Sequence, residues 1–415
     1  MISPTFSPSL LGLLIFILVL VSNASVSLDI DPTFGNNGRV TERFGSATIY
    51  AFAGEVAAQP SGRIIAVGNY FGMGGINGIS GPATLYLTPN GTLDQTLGNG
   101  GTSIPSGAGG GSAQYKHAVV QPDGGFLILY GFYGFKSSTE RASMYRLGPD
   151  GRVDFAFSAN LSLDSGSNSP YLLAVSPDGK VFVLMSAAGG YHLLRLNSDG
   201  SRDASFGING DRIVNLGRAG SAPSDMKVTD NGKIVFAFRD GAVIRLDSSG
   251  LPDRSFGLLG LVRLFSPEAT PITLYGIVPY PDGRVLVAGS NSGNLLLARL
   301  TNRAKRDVTF GNGGFVIGTP GTFASDAHRL NNGQILVCGS ASNSFLLSDY
   351  DDSGTLLATT FTSFSGASAA SASSLAVGPD EKIVTLGSAR LNSTGFNGFA
   401  LTRHTLIQNS EKEQR

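Results

Sequence analysis

Arg146, Arg195, Arg245 and Arg299 are each followed, eight residues later, by an aspartate: Asp154, Asp203, Asp253 and Asp307. A guanidinium and a carboxylate at fixed spacing can form an ion pair. Alternatively, each Asp can cap its own Asp-x-Ser/Thr turn with no arginine involved. Two further residues fit the pattern from opposite ends of the chain, Arg403 and Asp31. Tyr86 stands at the arginine position ahead of Asp94, and Asp349 stands there ahead of Leu357 or Ala358, so one or both partners are lost in these copies.

Residues suited to catalysis or metal binding are sparse. His117, His192, His328 and His404 are scattered without ligand spacing, which argues against zinc. Asp349-Tyr350-Asp351-Asp352-Ser353-Gly354 has the alternating acids of a calcium loop, but no glutamate closes it, so it reads as a turn. No nucleophile elbow, phosphate loop or dinucleotide fingerprint sits in a strand–turn–helix setting, so the sequence implies no cofactor and no catalytic constellation. The single cysteine, Cys338, lies in an apolar run and reads as a small buried hydrophobe.

The elements that must position these residues repeat. Tyr280-Pro281-Asp282-Gly283 leads into Arg284-Val285-Leu286-Val287-Ala288-Gly289, and versions of this turn and strand recur seven times. Their closing positions are Gly62, Gly124, Gly179, Gly232, Gly283, Gly333 and Glu381. Pro presets the first central position of the turn, and Gly supplies the left-handed residue that closes a hairpin. A wholly apolar strand implies burial on both faces. A third strand then ends in Leu, followed by a Gly turn, Asp-x-Ser/Thr-Phe-Gly and a fourth strand, as in Leu196–Gly207.

Seven units of four short antiparallel strands predict an all-β fold, a seven-bladed β-propeller. A β-helix would want shorter rungs. Asp31–Val40 reads as a fourth strand with no preceding three, and the last repeat stops after its third strand near Arg403. The N-terminal strand is therefore expected to complete the last blade, with Arg403–Asp31 locking the ring and no open edge left.

The run Gln-Pro-Asp-Gly, then a Lys/Arg-Ile/Val-Leu-Val strand ending in Gly, then Leu-Asp-x-Ser-Phe-Gly-x-x-Gly resembles the delta-60 repeat family over residues 28 to about 405. Repeats three to five carry it most clearly. The resemblance implies a propeller-like β-fold, often in exported proteins, and implies no catalytic residues.

Residues 10–21 are an unbroken apolar run of 12, too short for a membrane-spanning helix, which needs about 20 residues. Either Ser22-Asn23-Ala24 or Ser25-Val26-Ser27 suits signal peptidase. Residues 1–27 are expected to be a secretory signal, 28–407 one propeller domain and 408–415 a loose tail. Export makes Asn90, Asn160 and Asn392, each in an Asn-x-Ser/Thr sequon, candidate glycosylation sites. With 30 basic and 30 acidic residues there is no electrostatic footprint for nucleic acid.

The function expected is a secreted, monomeric binding or scaffold module for a protein, glycan or surface polymer. Loops of the first three repeats are longest and hold aromatics beside glycine: Tyr70 and Phe71; Tyr115, Lys116 and His117; Phe132, Tyr133, Phe135 and Lys136. Aromatics there suit a binding surface, although packing between blades would account for them equally. Two alternatives remain: an enzyme with acids or a metal gathered at the central channel, for which Glu55, Asp225 and Asp326 are the acids nearest the inner strands, or a structural envelope protein.

Overall fold

The computed structural model describes residues 25–44, 49–72, 80–103, 112–133, 139–159, 161–163, 168–267, 270–392, 395 and 397–409. Seven antiparallel sheets follow one another around a ring. Their innermost strands are Ile49–Ala58, Ser112–Val120, Ser169–Val175, Pro223–Val228, Ile272–Pro279, Thr322–Arg329 and Ala367–Val377. Each touches the next, and the seventh returns to the first, so the ring is closed. The blades are numbered here in that order. The expected seven-bladed propeller is the fold observed.

The repeated turn behaves as its residues require. Gly283 takes φ +85°, and Glu381 takes the same left-handed position at φ 59° without being glycine. Core residues belong to interfaces rather than to single blades. Phe182, Leu184 and Phe206 of blade 3 pack with Ile234, Phe236 and Ile244 of blade 4.

Closure uses both ends of the chain. The third strand of blade 7, Asn397–Asn409, pairs with Arg39–Glu42 in the register Val40↔Leu401. The same strand runs on to pair with Ser25–Ile30, from Ile30↔His404 to Ser25↔Asn409. This second clasp strand was not anticipated. It covers ground toward blade 6, where Leu28 packs with Phe345 and Leu375.

Blade 2 differs from the others. Among the described residues it has three strands, Ser112–Val120, Phe126–Tyr133 and Glu140–Leu147. In blade 3 the turn into the fourth strand needs Gly207 at φ +56°, where a Cβ would lie 2.0 Å from the Asp211 carbonyl oxygen, and Gly210 at φ +80°. Ser158 and Leu161 stand at the corresponding places in the second repeat. L-residues resist that conformation, so the same turn is not available there.

Candidate functional site at the central channel

The seven innermost strands share one irregularity. Each slips its pairing with the second strand near the middle, between Ala53 and Val56, Tyr115 and His117, Pro170 and Leu172, Pro223 and Asp225, Leu274 and Gly276, Ala324 and Asp326, and Ala372 and Ser374. A bulge leaves a residue out of the ladder and turns its neighbour's N–H away from the sheet. The innermost strand is already an edge, so seven amides would be stranded at the channel wall, at about 1–3 kcal/mol each if left unpaired.

None is stranded. The Val56 amide donates to Ser374 Oγ at 3.4 Å, and the Leu173 amide to His117 Nδ1 at 3.4 Å. Glu55 accepts the Ala118 amide. Asp225 takes two, from Met226 on Oδ1 at 2.7 Å and from Ile277 of the next blade on Oδ2 at 2.9 Å. Asp326 does the same for Ala327 at 2.8 Å and Leu375 at 3.1 Å. Two blades lack a polar side chain at this place, with Leu172 and Gly276, and there the following blade's aspartate caps its own amide. Glu55, His117, Asp225, Asp326 and Ser374 thus form a ring of acceptors that ties blade 1 to 2, 2 to 3, 4 to 5, 6 to 7 and 7 back to 1.

Within this ring lies a cavity of about 620 Å³, lined by residues of all seven blades. Lys227 Nζ stands in it, 3.2 Å from Asp225 Oδ1. Burial alone would lower the Lys227 pKa, but Asp225, Asp326 and Glu55 more than offset this and hold it raised. Burial pushes Glu55 up to about 8, against the pull of Lys227. The Glu55 carboxyl is therefore largely protonated at neutral pH. Burial, with repulsion from Lys227, brings His117 down to about 4. Because His117 Nδ1 accepts an amide, its proton sits on Nε2, which faces Glu55 Oε1 at 3.8 Å. Asp326 is also pushed up, first by burial. Tyr171 and Tyr275 line the cavity on either side of Ser224, and Arg239 stacks over the Tyr275 ring at 5.5 Å.

The acids singled out in the sequence therefore do meet at the channel, but Asp225 and Asp326 use both oxygens to hold the fold together. Among the described residues, no group of three His, Cys, Asp or Glu is placed to hold a metal ion. Lys227 escaped sequence reasoning because five other repeats place Ala or Val at the equivalent strand position, as at Ala57 and Val119, and the sixth places His328 there. The signal that could have found it is the charge in an otherwise apolar Met-Lys-Val run.

The loop candidates that fall among the described residues lie in strands. Tyr70 and Tyr115 are buried, Tyr115 with its ring in the space left by Gly54. Tyr115, Lys116 and His117 lie inside a strand rather than in a loop. Tyr70 and Phe71 end a second strand, Ile64–Gly72, and Phe132 and Tyr133 end another. Lys116 Nζ pairs with Glu140 at 2.9 Å. Phe71 meets the half-exposed Phe52 edge-on at 5.8 Å. Phe135 and Lys136 lie outside the described residues, as does Asn160. Asn90 and Asn392 are exposed. Cys338 is buried, and burial pushes its thiol pKa up.

The arginine–aspartate spacing resolves into both of its readings at once. Asp203 Oδ1 accepts the Ser205 amide and hydroxyl, while Oδ2 accepts Arg195 Nε at 2.9 Å. Asp253 pairs likewise with Arg245 at 2.7 Å, Asp307 with Arg299 at 2.7 Å, and Asp154 with Arg146. Asp31 receives Arg403 at 2.7 Å and Lys382 at 2.8 Å. A basic residue just after the repeated turn supplies the second cation, as Lys180 does for Asp203 and Lys233 for Asp253. In blade 1, where Tyr86 replaces the arginine, Arg63 from that place takes over and reaches Asp94 at 2.8 Å. Blade 6 substitutes an amide–carboxyl pair, with Gln334 Nε2 donating to Asp349 at 2.6 Å. Burial pushes Asp349 up to about 6. The arginines also reach the next blade. Arg245 donates to the Asn302 carbonyl at 2.7 Å, and Arg403 donates across the closure to Pro89.

No curated protein matches the chain. Solved structures similar to it include a protein of unknown function from Dyadobacter fermentans, 12% identical, with 89% of this chain and 100% of that one covered at a TM-score of 0.45. Prolyl oligopeptidase B from Galerina marginata is 12% identical at a TM-score of 0.47, covering 87% of this chain and 52% of that one. A putative oxidoreductase (glucose dehydrogenase) from Thermus thermophilus is 16% identical, covering 71% and 100%, at a TM-score of 0.38. Residues 59–97 and 176–206 match a beta-propeller domain of unknown function, DUF5122, which places this chain's repeats alongside a propeller repeat family.

Proposed function

We propose that the protein is a secreted binding module of the delta-60 repeat type, and that its recognition site is the central channel rather than the long-loop face. The observation that supports this is the lining of the 620 Å³ cavity. A cavity of this size, with few polar groups converging from rigid strands, suits a small ligand or the end of a larger one. Binding is favoured over hydrolysis because Asp225 and Asp326 each have both oxygens engaged by backbone amides, which leaves neither free as a nucleophile or base. Lys227, by contrast, carries three donors and pairs with Asp225 through one of them.

A signal cut after Ala24 would leave the clasp strand Ser25–Ile30 whole, whereas a cut after Ser27 would remove half of it. The secreted protein should therefore begin at Ser25, read by N-terminal sequencing of material from the medium, with Asn90 and Asn392 accessible to glycosylation in a eukaryotic host. For the site itself, ligand-observed NMR against a library of small polar compounds should give hits that Lys227→Met weakens by about tenfold or more. Hits indifferent to Lys227→Met would move the site away from the channel.

A further inference from the structure

Resting on that reading, we infer that the channel takes a neutral saccharide unit, seated between Tyr171 and Tyr275. The two tyrosines occupy the bulge position of blades 3 and 5, and Ser224 occupies it in blade 4 between them. All three line the cavity, and both rings are only partly buried. The same position carries Ser325 and Ser373 in blades 6 and 7, and Lys116, paired with Glu140, in blade 2, so the tyrosines are the aromatic residues that this position offers to the cavity. Partly buried aromatic rings at a cavity wall suit the C–H face of a sugar ring.

The polar groups decide the ligand's charge. Asp225 and Asp326 disfavour an anion, while Lys227 and Arg239 disfavour a free cation. Donors and acceptors are mixed. Lys227 and Arg239 donate, the protonated Glu55 carboxyl can donate or accept, and Ser224 Oγ has no partner in the structure. Vicinal hydroxyls, which both donate and accept, match such a set, and a uniformly charged ligand does not.

The chain contains no tryptophan, so the emission of its 12 tyrosines, Tyr171 and Tyr275 among them, is read without that background, and the loss of signal change in the Tyr171 and Tyr275 variants assigns it to the channel. The full secreted protein is titrated with maltose, cellobiose, chitobiose and galactobiose, and in parallel with glucuronate, glucosamine, lysine and glutamate. At least one neutral disaccharide should saturate the signal, with an affinity unchanged by added salt and reduced about tenfold or more by Tyr275→Ala. Tyr171→Ala should do the same. Tyr171 also packs on Tyr191 at 5.6 Å, so the Tyr275 variant is the deciding one if Tyr171→Ala fails to fold. Tyr275→Phe should retain binding. Saturation by charged probes only would overturn the saccharide assignment and leave the channel as the binding site. Neutral sugars binding equally well to Tyr275→Ala would overturn the seat between the tyrosines. No binding by any probe would overturn both the saccharide and the channel reading.

Discussion

Glu55 is the residue whose ionisation the fold opposes most visibly. Its folded pKa, about 8, lies above its ordinary value of 4.5, so the folded state holds a proton that the unfolded chain has released. Stability from this group is full below about pH 4.5 and is lost as pH rises toward 8. His117 and His404 act in the opposite sense. Each is lowered to about 4 from 6.5, so their contribution is full above pH 6.5 and lost as pH falls toward 4. The two effects oppose one another between pH 4.5 and 6.5; above it the histidine contribution is complete and the Glu55 loss continues, with the raised Asp326 acting in the same sense. Thermal melts should therefore show stability falling from pH 6.5 to 8, and Glu55→Gln, which keeps an acceptor for the Ala118 amide, should flatten that limb. An unchanged slope in the variant would mean that Glu55 is already ionised in the fold. At this scale the sequence was half legible. Glu55, Asp225 and Asp326 could be picked out because acids are rare on inner strands. Their task of capping bulge amides could not, because a bulge is a property of paired strands and leaves no pattern in one of them.

Strands and turns were the most legible elements, since the repeated turn states its own backbone conformation. The glycine that ends the second strand has a less obvious origin. A Cβ on Gly289 would lie 2.0 Å from the Thr273 carbonyl oxygen, and one on Gly68, Gly339 or Gly387 would meet Phe52, Phe323 or Ser371 at 2.0, 1.9 and 2.0 Å. Each sits opposite the residue just before the bulge, where the inner strand leans across the second. The motif glycine and the acceptor ring are thus two consequences of one bulge. Gly289→Ala should cost about 1–3 kcal/mol, measured by denaturant unfolding, because backbone rather than a pliable side chain must move. Gly293→Ala serves as the comparison: its Cβ would meet nothing within 4 Å, and its cost is confined to the strain of φ +85°. Among the described residues the second blade shows three strands. Ser158 and Leu161 break the glycine pattern, and that clue is easily passed over when a repeat is judged by its better-kept parts.

For the whole molecule, the locking pair Arg403–Asp31 is the feature that sequence symmetry foretold. Its side chains are 7% and 5% exposed, and burial would raise the Asp31 pKa were it not for Lys382, Thr33 and Arg403, which hold it well below the usual carboxylate range. Asp31→Ala leaves the buried Arg403 and the half-buried Lys382 facing no carboxylate and should lower stability by about 3–5 kcal/mol. Removing Asp150 from its exposed pair with Arg152, 3.8 Å apart, should cost about 0–1 kcal/mol. Equal losses in the two variants, by chemical denaturation, would show that the clasp is no stronger than a surface contact.

The clasp also sets an order of events. Arg39–Glu42 and Ser25–Ile30 precede the seven inner strands in the chain, yet their strand partner among the described residues, Asn397–Asn409, follows all of them. Contacts that join residues 372 apart, as Arg403 and Asp31 do, are entropically expensive to form and come late. During synthesis the leading strands wait as a bare edge, and the first blade lacks the neighbour that covers Phe34 and Phe44. Six blades can stack behind them, but the circle is sealed only when the final strand arrives.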